Sequence, residues 1–170
     1  PDRALRPGMP VVSRMGNGKY IMVYEIVGYP CCDIYFKLSD DGVDWGDPLL
    51  QGKRVETKEG LFLGSMPYVL WVPQGGKNGT VIVSAKREGE HIGMRDPGYY
   101  HVNYNYGKGE WKRVPMLITY NTDKLEAGWS MGMAVVQGDR LIQLAPTPMN
   151  SKLMQITYGI GKIETAERKK

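Results

Sequence analysis

Short apolar segments alternate with turn residues along the whole chain. An apolar segment follows a glycine-containing turn three times, because Gly18 precedes KYIMVYE, Gly79 precedes TVIVSAK and Gly138 precedes DRLIQLA. A second apolar segment comes before each turn, so each pair is predicted to be a β-hairpin with a positive φ at its tip. No long stretch places apolar residues at helical spacing between capping signals. The pattern therefore predicts an all-β protein with an internal repeat of roughly sixty residues.

Each repeat continues beyond its hairpin with further strands. A third strand is predicted at DIYFKLSDDG, YHVNYNYG and LMQITYG, and a fourth in the first two repeats, beginning near Trp45 and Trp111. Four antiparallel strands in a repeat of this size match one blade of a β-propeller. We predict three such blades over residues 8–60, 61–118 and 119–165 of a single domain. A β-sandwich is the competing architecture, but its turns need not recur at equal spacing.

The turn after the third strand carries a more specific signal. It resembles the Asp-box of sialidase-like propellers at Asp40, Gly42 and Trp45, and departs from that motif at Leu38 and Asp44. In such a turn the Asp side chain accepts backbone N–H bonds, the Gly takes a positive φ and the Trp is buried. A weaker form in the second repeat contains Asn103, Asn105, Gly107 and Trp111. These residues support the fold and are not expected to be catalytic.

Composition argues against several classes of function. The chain is 42% apolar and 24% charged, as in soluble globular proteins, and its net charge of +4 is spread along the sequence. We therefore expect no nucleic-acid or membrane partner. Cys31 and Cys32 are adjacent and would point to opposite faces of a strand, so no disulfide between them is expected. His91 and His101 lack the spacing of metal ligands, and neither a metal nor a cofactor is predicted.

Segments within residues 6–46 resemble the exo-arabinanases of glycoside hydrolase family 93. The similar segments are RPGMPVV, NGKYIMVYE and YFKLSDDGVDWG, and the resemblance continues through PYVLWVP, NGTVIVS and SMGMAV. It implies a sialidase-like propeller of six blades, of which this chain holds half, and release of arabinobiose from α-1,5-arabinan. It also implies a retaining mechanism with two carboxylates about 5 Å apart. A polysaccharide substrate further implies an extracellular location.

Glu25 is the candidate catalytic carboxylate that the resemblance implies. It ends the second strand of its repeat, where the other two repeats hold Lys86 and Ala145, so the blade architecture does not require an acid there. The alternative is a solvated strand end or a salt bridge. The acids Glu88, Glu90 and Asp96 lie in a predicted loop where acids are usually solvated, so the second carboxylate is expected there or in blades that this chain lacks.

Five further residues are candidates for substrate binding. Arg6, Arg87 and Arg95 are available for sugar hydroxyls, while Trp71 and Tyr100 are available for stacking on sugar rings. The arginine triad and the Arg-Ile-Pro element of true sialidases are missing. Sialic acid is therefore a less favoured substrate than arabinan, although a sialidase-like enzyme with another substrate stays an alternative.

Three blades cannot close a ring. Each end of such a stack would leave one apolar sheet face open, so we expect a homo-oligomer or a missing half of the propeller. The alternative to an enzyme is a non-catalytic half-propeller that binds carbohydrate or serves as an oligomeric scaffold.

Overall fold

A computed structural model describes residues 6–28, 32–48, 50–90, 93–95, 98–117, 132–136, 138–150 and 153–163. Within these ranges the chain consists of β-strands, turns and bends, and it contains no helix. The all-β prediction is confirmed. A membrane-spanning helix is correspondingly absent from the part of the chain that the structure describes.

The strands in chain order are β1 Arg6–Arg14, β2 Tyr20–Val27, β3 Cys32–Ser39, β4 Lys53–Arg54, β5 Phe62–Gly64, β6 Tyr68–Val72, β7 Thr80–Ser84, β8 Arg87–Glu90, β9 Gly93–Arg95, β10 Tyr99–Asn103, β11 Lys112–Pro115, β12 Gly132–Val136, β13 Arg140–Asn150 and β14 Leu153–Lys162.

These strands form three antiparallel sheets. The first sheet has the order β1-β2-β3-β5-β8-β9, with β4 also on β3; the second is β11-β10-β7-β6 and the third is β12-β13-β14. β5, β8 and β9 lie in the second repeat but pair within the first sheet, so the sheets cross the predicted boundary near residue 61. Along the chain β5 precedes β6 and β8 follows β7. β5 joins the first sheet because its Gly64 pairs with Asp33 of β3, and β8 joins it because it pairs with β5.

The three predicted hairpin turns are present. Gly18, Gly79 and Gly138 have φ values of +83°, +68° and +79°, which a residue with a Cβ adopts at a cost. The fourth strand of the first repeat differs from the prediction, because it contains only Lys53 and Arg54 and Trp45 lies in the preceding turn. In the second repeat the prediction near Trp111 is confirmed, since β11 follows that residue directly.

The turn after β3 differs from the expectation in its acid and in its tryptophan, because Trp45 is only half-buried. Asp41 Oδ1 accepts the N–H groups of Val43 and Asp44 at 2.8 and 2.9 Å, and these bonds hold the pKa of Asp41 below its usual value. The prediction that Asp40 has this role is wrong, because Asp40 is exposed and pairs with Lys19 instead. The corresponding acceptor in the second sheet is Asn103, whose Oδ1 accepts the N–H groups of Asn105 and Gly107.

Two apolar clusters hold the sheets together face to face. Between the first and second sheets lie buried side chains that include Ile21, Val23, Ile34, Phe36, Val69, Val81 and Trp111. Between the second and third sheets lie Val72, Ile82, Tyr100, Val102, Met133 and Leu141. Burial of each such aliphatic or aromatic side chain contributes roughly 1.5–3 kcal/mol, so the stacking of the sheets is the main source of stability.

The two outer sheets each leave an apolar face uncovered among the described residues. On the first sheet Val12 is 50% exposed, and on the third sheet Ile156, Tyr158 and Ile160 are 66%, 65% and 51% exposed. The face of the first sheet is partly filled, because Tyr24 and Ile26 are each only 8% exposed. The expectation of a homo-oligomer or a missing half of the propeller stays a prediction.

Candidate functional site

Glu25 is buried although it lies near the end of β2. Its exposed fraction is 6%, and it faces Gly8 across the β1–β2 pairing. A solvated strand end is therefore not what the structure shows. A buried carboxylate needs polar partners, and the contacts of Glu25 define the candidate site.

The two carboxylate oxygens of Glu25 have different surroundings. Oε2 accepts the backbone N–H of Met66 at 2.9 Å, so this oxygen is held by the segment that leads into β6. Oε1 lies 3.9 Å from the guanidinium of Arg6, whose side chain is 66% exposed. The structure thus brings Glu25 and Arg6 together, with one oxygen held inside the protein and the other beside an exposed cation.

The backbone around Glu25 adopts an unusual conformation at three non-glycine residues. Met9, Ser65 and Met66 have φ values of +49°, +64° and +52°. Each costs about 1–3 kcal/mol and persists only where neighbouring contacts enforce it. For Ser65 these contacts are its N–H bond to Cys32 O at 2.8 Å and the bond from Lys86 N–H to its carbonyl at 2.9 Å. Such strain is typical of functional sites.

Gly8 allows the close approach of Arg6 and Glu25. A Cβ at position 8 would lie 3.0 Å from Arg6 Nη1 and 3.4 Å from Glu25 Oε1. A side chain here would therefore displace the guanidinium or the carboxylate.

Glu88 is buried in a separate charged cluster. It is 1% exposed; Arg113 binds both of its oxygens at 2.8 and 2.7 Å, and His101 Nε2 lies 2.9 Å from Oε1. Arg113 in turn stacks on the ring of Tyr99 at 3.7 Å. The expectation that Glu88 is a solvated loop acid is wrong, because this residue belongs to β8 of the first sheet and its side chain is buried against His101 and Arg113 of the second sheet.

Glu88 does not supply the second carboxylate beside Glu25. β3 and β5 lie between their strands in the first sheet, and both oxygens of Glu88 are already bound. Among the residues that the structure describes, no other carboxylate contacts Glu25 or Arg6. The side chain of Glu90 and the whole of Asp96 fall outside the described residues.

Two candidate arginines are placed only by their backbone. Arg87 pairs with Gly64 and Arg95 pairs with Glu88, both in the extension of the first sheet. Their side chains fall outside the described part of the structure, so their role in substrate binding stays a prediction.

Trp71 lies at the opposite end of the sheets from Glu25. Its indole packs between two hairpin turns, since a Cβ on Gly16 or Gly79 would come within 2.4 or 2.6 Å of the ring. The indole Nε1 donates to Asn78 O at 3.1 Å. The structure therefore does not bring Trp71 together with Glu25 and Arg6.

Tyr100 is enclosed between the second and third sheets. It is 3% exposed, its hydroxyl hydrogen-bonds to Gln143 Oε1, and burial raises the pKa of this tyrosine to about 12. A ring in this position is inaccessible to a sugar, so the prediction that Tyr100 binds substrate has no support in the arrangement of the chain.

A cleft of about 610 Å³ lies on the open face of the first sheet. Its lining is mainly apolar and contains Pro7, Gly8, Pro10, Met22, Tyr24, Ile26, Trp45 and Leu50. It reaches the candidate site only at Gly8, because Glu25 alternates with Met22, Tyr24 and Ile26 along β2 and lies with Ile21 and Val23 on the other face. As for metals, no group of three or more ligating side chains occurs within the described ranges.

Met66 is the contact of the candidate site that sequence reasoning missed. It acts through its backbone N–H, which no side-chain motif reveals. A signal does exist in the sequence, because Met9 and Met66 both precede a proline and both stand at the start of an apolar segment.

The sequence matches no protein-family model and none of the curated proteins. Its structure is similar to that of an α-L-arabinanase of Penicillium chrysogenum in complex with arabinobiose, with a TM-score of 0.74 and 26% identity. That match covers 94% of this chain and 42% of the arabinanase.

An α-L-arabinofuranosidase of Fusarium graminearum with an iminosugar inhibitor matches with a TM-score of 0.70 and 26% identity. A family 93 α-L-arabinofuranosidase of that organism with arabinobiose matches with 0.72 and 24% identity. Both matches cover 94% of this chain and 43% of those chains. The predicted resemblance to glycoside hydrolase family 93 is confirmed, over less than half the length of these enzymes.

Proposed function

We propose that this chain is part of a glycoside hydrolase acting on a plant polysaccharide, most like a retaining exo-α-1,5-L-arabinanase. The observation that carries the proposal is the buried Glu25, with Oε2 bound to Met66 N–H and Oε1 beside the exposed Arg6. The similar structures that hold arabinobiose support a carbohydrate ligand. We place such an enzyme outside the cell, where its substrate is found.

Glu25 is suited to the role of nucleophile in this scheme. Attack on an anomeric carbon requires a carboxylate whose position is held and whose reacting oxygen is accessible. The Met66 N–H bond holds Oε2, and Oε1 lies on the side of Arg6. The Arg6 guanidinium would donate hydrogen bonds to sugar hydroxyls next to the reacting carbon.

The second carboxylate is proposed to come from sheets other than the three described. A retaining pair stands about 5 Å apart, and Glu88 is sealed by His101 and Arg113. Closure of the ring would require more sheets, contributed by a second copy of the chain or by another half of the propeller. Hydrolysis would then depend on assembly.

Binding without hydrolysis is the second candidate function. It is favoured by the absence of a second carboxylate around Glu25 within the described residues. In this case Arg6 and Glu25 would hydrogen-bond sugar hydroxyls and no bond would be cleaved.

Product analysis with linear α-1,5-arabinan tests both candidates. The wild-type chain, once assembled with the sheets that supply the second carboxylate, is expected to release arabinobiose. Glu25→Gln in this assembly is expected to reduce the rate by at least about a thousandfold, because the amide is a poor nucleophile. The exposed Glu110→Gln is the matched control and should keep the wild-type rate.

The other outcomes are equally informative. Arabinobiose binding by calorimetry without product, weakened by Arg6→Ala, would favour the binding module. Absence of both hydrolysis and binding would contradict a carbohydrate site in this chain.

A further inference from the structure

The first and second sheets differ beside the end of their third strands. Asn103 ends β10 as Ser39 ends β3, and each side chain accepts the N–H of a glycine in the turn that follows. In the second sheet β11 pairs with β10 up to Val102, directly before Asn103. In the first sheet β4 pairs with β3 only as far as Phe36, and within the described ranges no strand lies beside Lys37–Ser39 on that side. The first sheet therefore lacks part of the fourth strand that the second sheet has.

A second cleft, of about 630 Å³, lies at this gap. It is lined on the first sheet by the end of β3 and by the loop from Trp45 to Lys53, and on the second sheet by the turn Gly107–Gly109. Trp45 also lines the cleft on the open face of the first sheet, whereas Gly107–Gly109 line only the second cleft. Because it is formed by two sheets that pack on each other, the second cleft belongs to the junction of the first two repeats.

The second cleft is positively charged. Lys37, Lys53 and Lys108 line it, together with one carboxylate, that of Asp47. None of the three lysines forms a salt bridge with a residue that the structure describes. The ammonium of Lys37 donates one hydrogen bond, to Asp47 O at 2.8 Å, and a lysine has three donors. An anionic group in the cleft would therefore meet ammonium groups that are not already paired with acids.

Trp45 provides an aromatic surface in the same cleft. Its indole Nε1 donates to Gly42 O at 3.1 Å, which fixes the orientation of the ring, and the residue is only half-buried. Much of the remaining lining has no side chains and leaves the backbone accessible, at Gly46, Gly52, Gly107 and Gly109. An aromatic ring, accessible backbone groups and cations together suit a sugar chain that carries carboxylates.

We propose that this lysine cleft, formed by Trp45, Lys37, Lys53, Lys108 and the turn Gly107–Gly109, binds an oligosaccharide of uronic acid residues. The indole of Trp45 stacks on one sugar ring. The lysine ammonium groups pair with the carboxylates of neighbouring sugars, and the glycine backbone hydrogen-bonds their hydroxyls.

The lysine cleft is separate from the candidate site at Glu25. Leu38, which lines the cleft, lies four residues along β3 from Ile34, the residue that pairs with Glu25. At the rise of an extended strand this is about 13 Å. The proposal concerns binding only and does not rest on hydrolysis at Glu25.

A sugar chain suits the lysine cleft better than a peptide strand. An open strand edge can accept a peptide by continuous pairing of the two backbones. Gly52 lies against the edge of β3, however, since a Cβ at this position would clash with the carbonyl of Phe36. Continuous pairing along β3 is therefore interrupted, whereas contacts with side chains and scattered backbone groups are not.

Titration of tetragalacturonate into the ¹⁵N-labelled chain tests the proposal. Binding is expected to shift the indole N–H signal of Trp45 and the amide signals of Lys108 and Gly109. The neutral α-1,5-arabinotetraose has the same number of sugars and should bind at least about tenfold more weakly, because it lacks charge-assisted hydrogen bonds. Excess arabinobiose should not displace tetragalacturonate, so this site and the candidate site at Glu25 are tested independently.

Matched variants separate the contributions of charge and stacking. Lys53→Gln combined with Lys108→Gln should weaken binding about fivefold, and both residues are exposed, so the fold is expected to be retained. Trp45→Ala should weaken it about tenfold through the loss of stacking. Lys58→Gln removes an exposed lysine outside the cleft and should leave the affinity unchanged.

Four results would overturn the proposal. One is the absence of a shift at Trp45 with millimolar tetragalacturonate, and another is equal affinity for arabinotetraose, because the lysines would then be irrelevant. The third is equally tight binding of inorganic triphosphate that Trp45→Ala leaves unchanged, which would make the cleft a site for anions of any kind. The fourth is tighter binding of an extended peptide of alternating Glu and Val, which would make a strand the occupant.

Discussion

At the scale of single residues, two buried glutamates of the first sheet have different surroundings. Glu25 is buried, but one of its oxygens lies beside an exposed arginine, whereas both oxygens of Glu88 are bound inside the protein. A carboxylate with only one oxygen held by a backbone N–H is a candidate for chemistry, and one with both oxygens bound can only stabilise. Glu25 is of the first kind, and Glu88, of the second kind, ties β8 to the second sheet.

Replacement of Glu88 tests its structural role. Glu88→Gln would leave Arg113 without its charge partner, and the expected loss is about 3 kcal/mol of unfolding free energy at pH 7. Urea denaturation measures it. The exposed Glu110→Gln is the control and should change stability by less than about 0.5 kcal/mol.

The effect of Glu88→Gln should also depend on pH. Burial alone raises the pKa of Glu88, but the hydrogen bonds and charges of His101 and Arg113 outweigh it, and the pKa falls below the usual 4.5. A carboxyl with a lowered pKa stabilises the fold above its unfolded pKa, and this stabilisation is lost as the pH falls through the folded pKa. The loss on substitution should therefore shrink below pH 4.5, and an equal loss at pH 7 and pH 3 would contradict this account.

At the scale of strands and turns, the hairpin tips differ in how tightly they are packed. Gly18 and Gly79 both have a positive φ, but the space at Gly18 is open. A Cβ at Gly79 would lie 2.3 Å from Val72 O and 2.6 Å from the Trp71 ring. The second hairpin thus depends on its glycine for two reasons and the first for one.

Alanine substitutions separate these two reasons. Gly18→Ala is expected to cost about 1 kcal/mol, because only the left-handed backbone is strained. Gly79→Ala is expected to cost about 3 kcal/mol, because a clash with backbone and indole is added. Chemical denaturation of both variants provides the comparison, and equal losses would show that the turn relaxes around the new methyl group.

At the scale of the whole molecule, stability comes from stacking of sheets, and the stack is open at its ends. Leu141 is buried between the second and third sheets, whereas Ile156 and Ile160 are exposed on the outer face of the third. Aliphatic side chains therefore differ in their expected contribution to stability. Those between two sheets stabilise the fold, and those on the outer face contribute little.

Lysine substitutions on the outer face check this assignment. Ile156→Lys combined with Ile160→Lys is expected to change the unfolding free energy by less than about 1 kcal/mol and to reduce binding of a hydrophobic dye. Leu141→Ala, the buried counterpart, should cost about 2–4 kcal/mol. Unfolding of the double-lysine variant would mean that the outer face is covered.

Much of the architecture was predictable because local rules decide it. A glycine at a hairpin tip and alternating apolar residues determine strands wherever they occur, so the hairpins at Gly18, Gly79 and Gly138 follow from the sequence alone. The stacking of sheets on two apolar faces follows from the same alternation. The acid of the turn after β3 was misassigned to Asp40. Asp40 and Asp41 are adjacent, and only the geometry of the turn shows which carboxylate reaches the backbone N–H groups.

The candidate site is different, because its parts are distant in sequence. Glu25 stood out as an acid that the repeat does not require, and Arg6 as an available cation. Tertiary structure decides that Met66 N–H holds Glu25 and that Trp71 lies at the other end of the sheets from Glu25. It also decides that β8 joins the first sheet, where Glu88 is buried against the second sheet. Backbone donors carry no side-chain signature, and the direction of a side chain depends on the sheet that its strand joins. The sequence by itself therefore determined the strands and their repeat, and the packing of the sheets decided which polar groups meet.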